Sequence, residues 1–202
     1  MTSPHYIAFE GAEACGKSTQ AALLAARMGA VLTRETGGTA VGARLREILH
    51  DNSVTNLTPR AEALMTAADR AQHLAEVVGP ALDDGRNVVS DRSLYSTLAY
   101  QGYGRELNVE ELTIINDWAI NARWPETVIF LDTPDALIAE RLQRRDLDRF
   151  EAAGAAFHHR VIEGFRTMAS GNTDQWITVD GRGSIAEVEA TIVAALAQRG
   201  AL

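Results

Sequence analysis

The sequence predicts a three-layer α/β domain, a five-stranded parallel sheet with helices on both faces, and three observations lead there. Five short β-branched or apolar runs alternate with longer helical stretches. Each run is nearly all apolar, as strands covered on both faces are. No linker, internal repeat or low-complexity tract interrupts the 202 residues, which suffice for one well-buried domain and are short for two.

The elements follow in order. Tyr6 to Glu10 is an apolar run ending at Gly11, and Lys17 to Met28 is rich in alanine and leucine without glycine or proline. That is strand, tight loop and helix. Further strands are expected at residues 30–34, 87–91, 127–132 and 176–180, and helices at 59–82, 109–122, 134–144, 151–169 and 184–198. Thr58 before Pro59, with Glu62 close behind, and Ser184 with Glu187 three residues on, have the chemistry of helix N-caps. Gly181-Arg182-Gly183 is too short to separate domains and reads as the turn into the last helix.

A formal net charge of -8 argues against a general nucleic-acid binder, which needs clustered cations to release counterions. A small anionic ligand stays open, because local arginines matter more than the sum. One cysteine excludes an intrachain disulfide framework. The first residues lack a cationic stretch followed by a long apolar run, and no run reaches the eighteen or so residues of a membrane span. A cytoplasmic protein with no membrane partner is expected.

Chemistry concentrates at the strand exits, where parallel sheets bind ligands. Residues 11–18 fit GxxxxGK[ST] at every fixed position, between a strand and a helix as that pattern requires. Lys17 is the only lysine; every other permanently charged base is arginine. A compact ammonium folds against phosphate oxygens where a planar guanidinium would overfill the space. Ser18 offers a hydroxyl to Mg²⁺, and Gly11 and Gly16 let backbone amides face phosphate. Asp91 ends a strand, suited to hold a magnesium-bound water or orient a nucleophile, with Arg92 beside it as an anion clamp. Cys15 is a small buried filler or a thiol activated near a helix N-terminus, the first being favoured. Arg141, Arg144, Arg145 and Arg149, interspersed with Asp146, Asp148 and Glu151, are either a solvated helix end or a lid over about residues 141–151 that closes arginines on a transferring phosphoryl group.

These motifs together resemble the bacterial thymidylate kinases. The resemblance runs through Phe9-Glu10 and the phosphate loop, Thr33-Arg34-Glu35 with Gly37-Gly38-Thr39, residues 67–73, Asp91-Arg92-Ser93 with Ser96-Thr97 and residues 99–102, and Asp148-Arg149 with Glu151. It implies a P-loop kinase fold and Mg²⁺-dependent transfer of the γ-phosphoryl group of ATP to thymidine monophosphate, dTMP. Gly11, Ala12, Glu13, Ala14, Cys15, Gly16, Lys17, Ser18 and Thr19 would contact ATP, with Ser18 and Asp91 at the metal. Glu13 would approach the acceptor's 3′-hydroxyl and phosphate, Arg34 and Glu35 would border the acceptor site, and Arg46 and Arg92 would hold the monophosphate. Arg70 would hydrogen-bond the base, Thr97 and Gln101 would meet its edge, and Tyr100 would occupy the place of a ribose 2′-hydroxyl. Lys17, Glu13 and Arg92 would act in catalysis, with Arg149 and Arg144 as the lid's cations.

Two positions depart from the family pattern. Thr66 stands where an aromatic residue usually stacks on thymine, and Thr36 where proline is common. The first keeps open a kinase for another pyrimidine deoxynucleoside monophosphate; a non-catalytic nucleotide-binding domain is a further alternative. The family is typically a homodimer.

Overall fold

In the computed structural model, which describes residues 3–142 and 148–202, five parallel strands form one sheet in the order β2-β3-β1-β4-β5. The strands are β1 (Tyr6–Glu10), β2 (Val31–Arg34), β3 (Val88–Asp91), β4 (Thr127–Asp132) and β5 (Trp176–Asp180). The expected strands are recovered to within a residue. Because β1 pairs with β3 on one side and β4 on the other, the loop after β1 sits where the winding reverses, the position that leaves a crevice for ligand.

Side-chain alternation along the strands sends alternate residues to opposite faces. Ile7, Phe9, Val89, Ile129 and Leu131 pack under α1 (Lys17–Met28) and α9 (Ile185–Gln198), which contribute Leu24, Ile192 and Leu196. Tyr6, Val88, Val128 and Phe130 face the other way. That second core is closed by α3 (Pro59–His73), α4 (Gly79–Asp83), α6 (Val109–Ile120) and α8 (Ala155–Gly171). Ser184 and Glu187 form the expected reciprocal capping box. Thr58 caps α3 by accepting from the Ala61 amide at 3.3 Å, but Glu62 takes no part in that cap and is buried.

The stretch expected as one helix over 59–82 is broken into α3, π-helical turns at Leu74–Val78, and α4. Pro80 has no amide to donate, and the Gly79 amide reaches back to Leu74 in a wide turn. Two helices lacked a distinct sequence signal: α2 (Ala40–His50) and α5 (Leu94–Thr97), which continues as π-helical turns over Leu98–Gly104. Of the expected 134–144 helix, α7 (Asp135–Leu142) is described. The expected helix over 151–169 begins as a 3-10 turn (Glu151–Ala153) and becomes α8 only after Gly154, which has φ 92°. No helix among the described residues is long and apolar enough to cross a membrane.

Candidate active site

The register of the sheet brings the chemistry to one rim. Phe9, Asp91 and Arg34 are lateral neighbours on β1, β3 and β2, so Glu10, Arg92 and Glu35 leave the sheet side by side. A cleft of about 250 Å³ opens there, between the phosphate loop, α2, α3 and α5. It is lined by thirteen of the sequence-predicted residues: Glu13, Lys17, Ser18, Arg34, Glu35, Arg46, Thr66, Arg70, Asp91, Arg92, Thr97, Tyr100 and Gln101. Gly11, Ala12, Ala14, Cys15, Gly16 and Thr19 form the adjoining loop and the start of α1.

The loop depends on unusual backbone angles. Gly11 has φ 148°, Gly16 φ 102° and Ala14, without glycine's freedom, φ 56°. A Cβ on Gly11 would lie 3.0 Å from the Leu131 carbonyl, so the loop packs directly on β4. Cys15 is buried in the apolar cluster under α1, in keeping with the filler reading. Lys17 is buried, and its ammonium donates to the Ala12 carbonyl at 3.0 Å, curled over the loop where phosphate oxygens would lie. The Ser18 hydroxyl donates to Asp91 Oδ2, while Asp91 Oδ1 is buried with no hydrogen-bond partner among the described residues. An orphaned carboxylate oxygen beside a helix-start hydroxyl is a hard-oxygen donor set that fits Mg²⁺, which binds few protein ligands and keeps its remaining positions for water and phosphate.

Arg92 joins this loop to the far side of the cleft. It holds a left-handed backbone, φ 76°, a strained conformation for a non-glycine residue. Its guanidinium contacts the Glu13 carboxylate and donates to the Gly11 carbonyl at 3.1 Å, Ser96 Oγ at 3.0 Å and the Tyr100 hydroxyl at 3.1 Å. Burial acts to raise the Glu13 carboxyl, but the charges of Arg92 and then Lys17 outweigh it and hold the group far below the ordinary carboxylate range. Underneath, Glu10 accepts from the Ser93 amide and hydroxyl, both at 2.8 Å, and from the Ser96 hydroxyl at 2.6 Å. It thereby fixes the start of α5 that orients Arg92. Burial outweighs these contacts and raises the Glu10 carboxyl.

At the far end, Arg70 is 2 % exposed. Its Nε donates to Glu35 at 2.7 Å, Nη1 to Thr97 at 3.2 Å and to Asn116, and Nη2 to the Ser93 carbonyl at 3.2 Å. Of five guanidinium N–H groups one is left for a ligand. Glu35 also meets His73 at 2.9 Å. Burial acts to raise its carboxyl, and Arg70 and His73 reverse the sign and lower it. Thr66 is buried, donates to the Ala63 carbonyl at 2.8 Å and accepts from Thr97 at 3.1 Å, so its hydroxyl is spent inside the protein and offers no ring face. Arg46 donates to the Thr36 carbonyl at 3.2 Å, and Arg34 stands on the same rim.

The arginines expected in the lid are placed differently from one another. Arg144 lies outside the described residues. Arg149 pairs with Glu62 at 2.7 Å, its Nη2 buried with no hydrogen-bond partner among the described residues, while the adjacent Phe150 lines the cleft. Arg141, grouped above with the lid arginines but not singled out as a catalytic cation, donates to the Ala14 carbonyl of the loop at 2.9 Å. Glu10, Glu62, His73 and Asn116 were also missed as supporting groups. The detectable signal was a buried arginine at position 70, which demands acceptors from elsewhere in the chain.

A phosphate loop at the switch point of a parallel sheet, opposite an arginine-lined cleft, defines a P-loop kinase acting on a phosphorylated acceptor. Comparison with known proteins places it further. The family model for thymidylate kinase matches residues 9–192. The chain is 42% identical over 195 residues to the thymidylate kinase of Bifidobacterium longum (strain DJO10A), covering 93% of this chain and 94% of that one. It is 44% identical over 188 residues to that of Nitratidesulfovibrio vulgaris (strain DSM 19637 / Miyazaki F), covering 87% of each. The crystal structure of thymidylate kinase from Ehrlichia chaffeensis superposes with a TM-score of 0.80 at 26% identity, covering 96% of this chain and 100% of that chain. The chain belongs to the thymidylate kinase family.

Proposed function

We propose that this chain, as a member of the thymidylate kinase family, uses the cleft described above to transfer the γ-phosphoryl group of ATP to dTMP, the whole chain acting as one kinase domain. The observation that carries the reading is the continuity from Lys17 and Ser18, through Asp91 and Arg92, to Glu13 and the Arg70 pocket. Donor and acceptor groups line one cleft, and phosphoryl transfer needs chiefly such positioning and charge neutralisation.

The loop amides and Lys17 hold the donor phosphates. Ser18 and Asp91 are the residues that would hold Mg²⁺, which when bound neutralises charge on the phosphates. Arg92 and Arg46 grip the acceptor phosphate, and Arg34 adds charge at the rim. Arg92, held by Glu13 and Ser96, presents a fixed guanidinium rather than one that must be ordered on binding. Glu13, kept ionised by its cationic neighbours, orients the acceptor's hydroxyl and phosphate. The remaining N–H of Arg70, with Thr97 and Gln101, reads the base, and Tyr100 fills the space of a ribose 2′-hydroxyl. Arg141 brings a lid cation against the loop. Initial rates with dTMP, dUMP, dCMP and dGMP test the reading. Preference for dTMP is expected, and faster turnover of any other would overturn it.

The functional unit in this reading is a homodimer. Leu64 on α3 and Ile114 and Trp118 on α6 are 56%, 64% and 83% exposed on two adjacent helices, an apolar face suited to a second copy. Sedimentation of the intact protein at micromolar concentration should give a dimer, and Trp118→Glu a monomer. A cytoplasmic location fits the use of ATP and a single free thiol.

A further inference from the structure

We propose that Asp69 is the positioning residue for Arg46: buried where α3 meets the loop before α2, it seats both the Gly37 turn and the first turn of α2, and so sets the guanidinium that grips the acceptor phosphate. The proposal rests on the reading that Arg46 binds that phosphate.

Asp69 lies just before Arg70 on α3, in a segment whose Arg70 and His73 already hold Glu35. It is 0% exposed. Its Oδ1 accepts from the Gly37 amide at 2.9 Å, and Oδ2, also buried, has no hydrogen-bond partner among the described residues. Burial raises its carboxyl, outweighing the Gly37 amide. A buried carboxyl with one oxygen unmatched is costly, and an apolar side chain would serve better if packing were all the position required.

What the position does require is visible in α2. Thr39 caps that helix by accepting from the Gly42 amide at 2.9 Å, and the first turn has no acidic residue of its own. Asp69 reaches it from α3. A Cβ on Gly42 would lie 2.2 Å from Oδ1, so the carboxyl rests directly on the helix start, where negative charge complements the dipole. Gly42 and Arg46 are four residues apart and share a helix face, which puts Arg46 one turn along from this contact. The stem of Arg46 meets the same frame: a Cβ on Gly37 would lie 2.9 Å from Arg46 Cδ. Gly37 thus touches Asp69 through its amide and Arg46 through its open side. Arg92 is aimed by its ion pair with Glu13, whereas Arg46 donates to the Thr36 carbonyl at 3.2 Å, a neutral group that moves with the loop. The aim of Arg46 therefore depends on where the loop and α2 are seated, and Asp69 seats both.

The test separates the phosphate from the rest of the acceptor. The Kd of dTMP is measured by calorimetry, and the inhibition constant of thymidine, which lacks the phosphate, by competition against dTMP turnover; their ratio is the phosphate factor. The full chain is used as wild type, Asp69→Ala, Asp69→Asn, Arg46→Met and the Asp69→Ala/Arg46→Met double variant. Asp69→Ala should lower the factor by about tenfold, with thymidine binding within about threefold of wild type and kcat falling less than about tenfold. Arg46→Met should lower it at least as much. The double variant should be no worse than Arg46→Met alone, since Asp69 acts through that side chain. Asp69→Asn, which keeps an oxygen for the Gly37 amide, should recover part of the factor. Should Asp69→Ala not fold, Gly42→Ala carries the test, because its methyl displaces the carboxyl without removing it and should also lower the factor. An unchanged factor in the variant that carries the test, equal losses for thymidine and dTMP, or additive losses in the double variant would overturn the proposal. Turnover of dTMP by the wild type and the loss in Arg46→Met are read on the same samples. Absence of either defeats the functional reading and the proposal with it, whereas both present with an intact factor in Asp69→Ala defeats the proposal alone.

Discussion

The two halves of the cleft are built by different means. In the proposed reading the donor half is mainly one continuous segment, residues 11–18, whose chemistry lies in backbone amides, left-handed glycines, one ammonium and the Ser18 hydroxyl, with the Asp91 carboxylate added from β3. The acceptor half is assembled from side chains on β2, α2, α3, α5 and α6 with Glu13 from the loop, held by the buried Arg70–Glu35 pair and the partly buried Arg92–Glu13 pair. A local motif can preorganise phosphate amides because neighbouring residues dictate the turn. Recognition of a shaped acceptor needs donors on several sides at once, and only tertiary structure supplies those.

Disrupting each half should therefore give a different signature. The largest effect is expected in the donor half: Lys17→Ala should lower kcat by about three orders of magnitude or more in steady-state assays, with little loss of stability. In the acceptor half the effect shifts to the fold. Arg70→Met leaves Glu35 buried with only His73 and should cost about 3 kcal/mol in urea unfolding.

The same half should give the molecule its acid sensitivity. The folded pKa of Glu35 is below its ordinary value of 4.5, so the stability it contributes is complete above about pH 4.5 and is lost as the pH falls through the lower folded value. Unfolding free energies between pH 6 and pH 3 should fall less steeply for Glu35→Gln than for the wild type. A parallel fall would mean that other carboxylates carry it.

Smaller effects sharpen the contrast. Thr66→Phe should lower the KM for dTMP by about tenfold if the ring turns into the cleft and stacks, and an unchanged or higher value would show that the base is held from another side. Ala14→Gly should relieve the left-handed strain in the loop and raise unfolding stability by about 0.5 kcal/mol, the gain being limited by glycine's larger unfolded-state entropy. An Ala14→Gly protein no more stable than the wild type would show that the loop carries no such strain.

Legibility from sequence follows the same division. The strands were readable because each is a short apolar run in a two-sided sheet, and the phosphate loop because its function is local. The α2 helix was not, since Gly42 sits in its first turn; the fold requires that glycine, as a Cβ there would lie 2.2 Å from Asp69. The π-helical turns after α5 were hidden by Gly102 and Gly104, which read as breakers yet let Val109 and Phe157 approach within 3.0 Å and 2.6 Å of where a Cβ would be. Resemblance supplied the residues of the acceptor half, but not Glu62 or Asn116, and it gave no role to Glu10; all three act through other side chains. Arg149 shows the limit most clearly, because its neighbours in sequence suggest a lid cation and its neighbours in space are a helix end and a buried glutamate.

Equilibrium binding of dTMP to Lys17→Ala in the absence of ATP tests the separation of the halves most directly. The two-part construction predicts a Kd within about threefold of wild type in a protein that no longer turns over, because the acceptor pocket owes its shape to Arg70, Glu35, Arg92 and Glu13. Loss of dTMP binding by more than about tenfold together with turnover would contradict it, and would mean that the lysine organises both sides of the cleft.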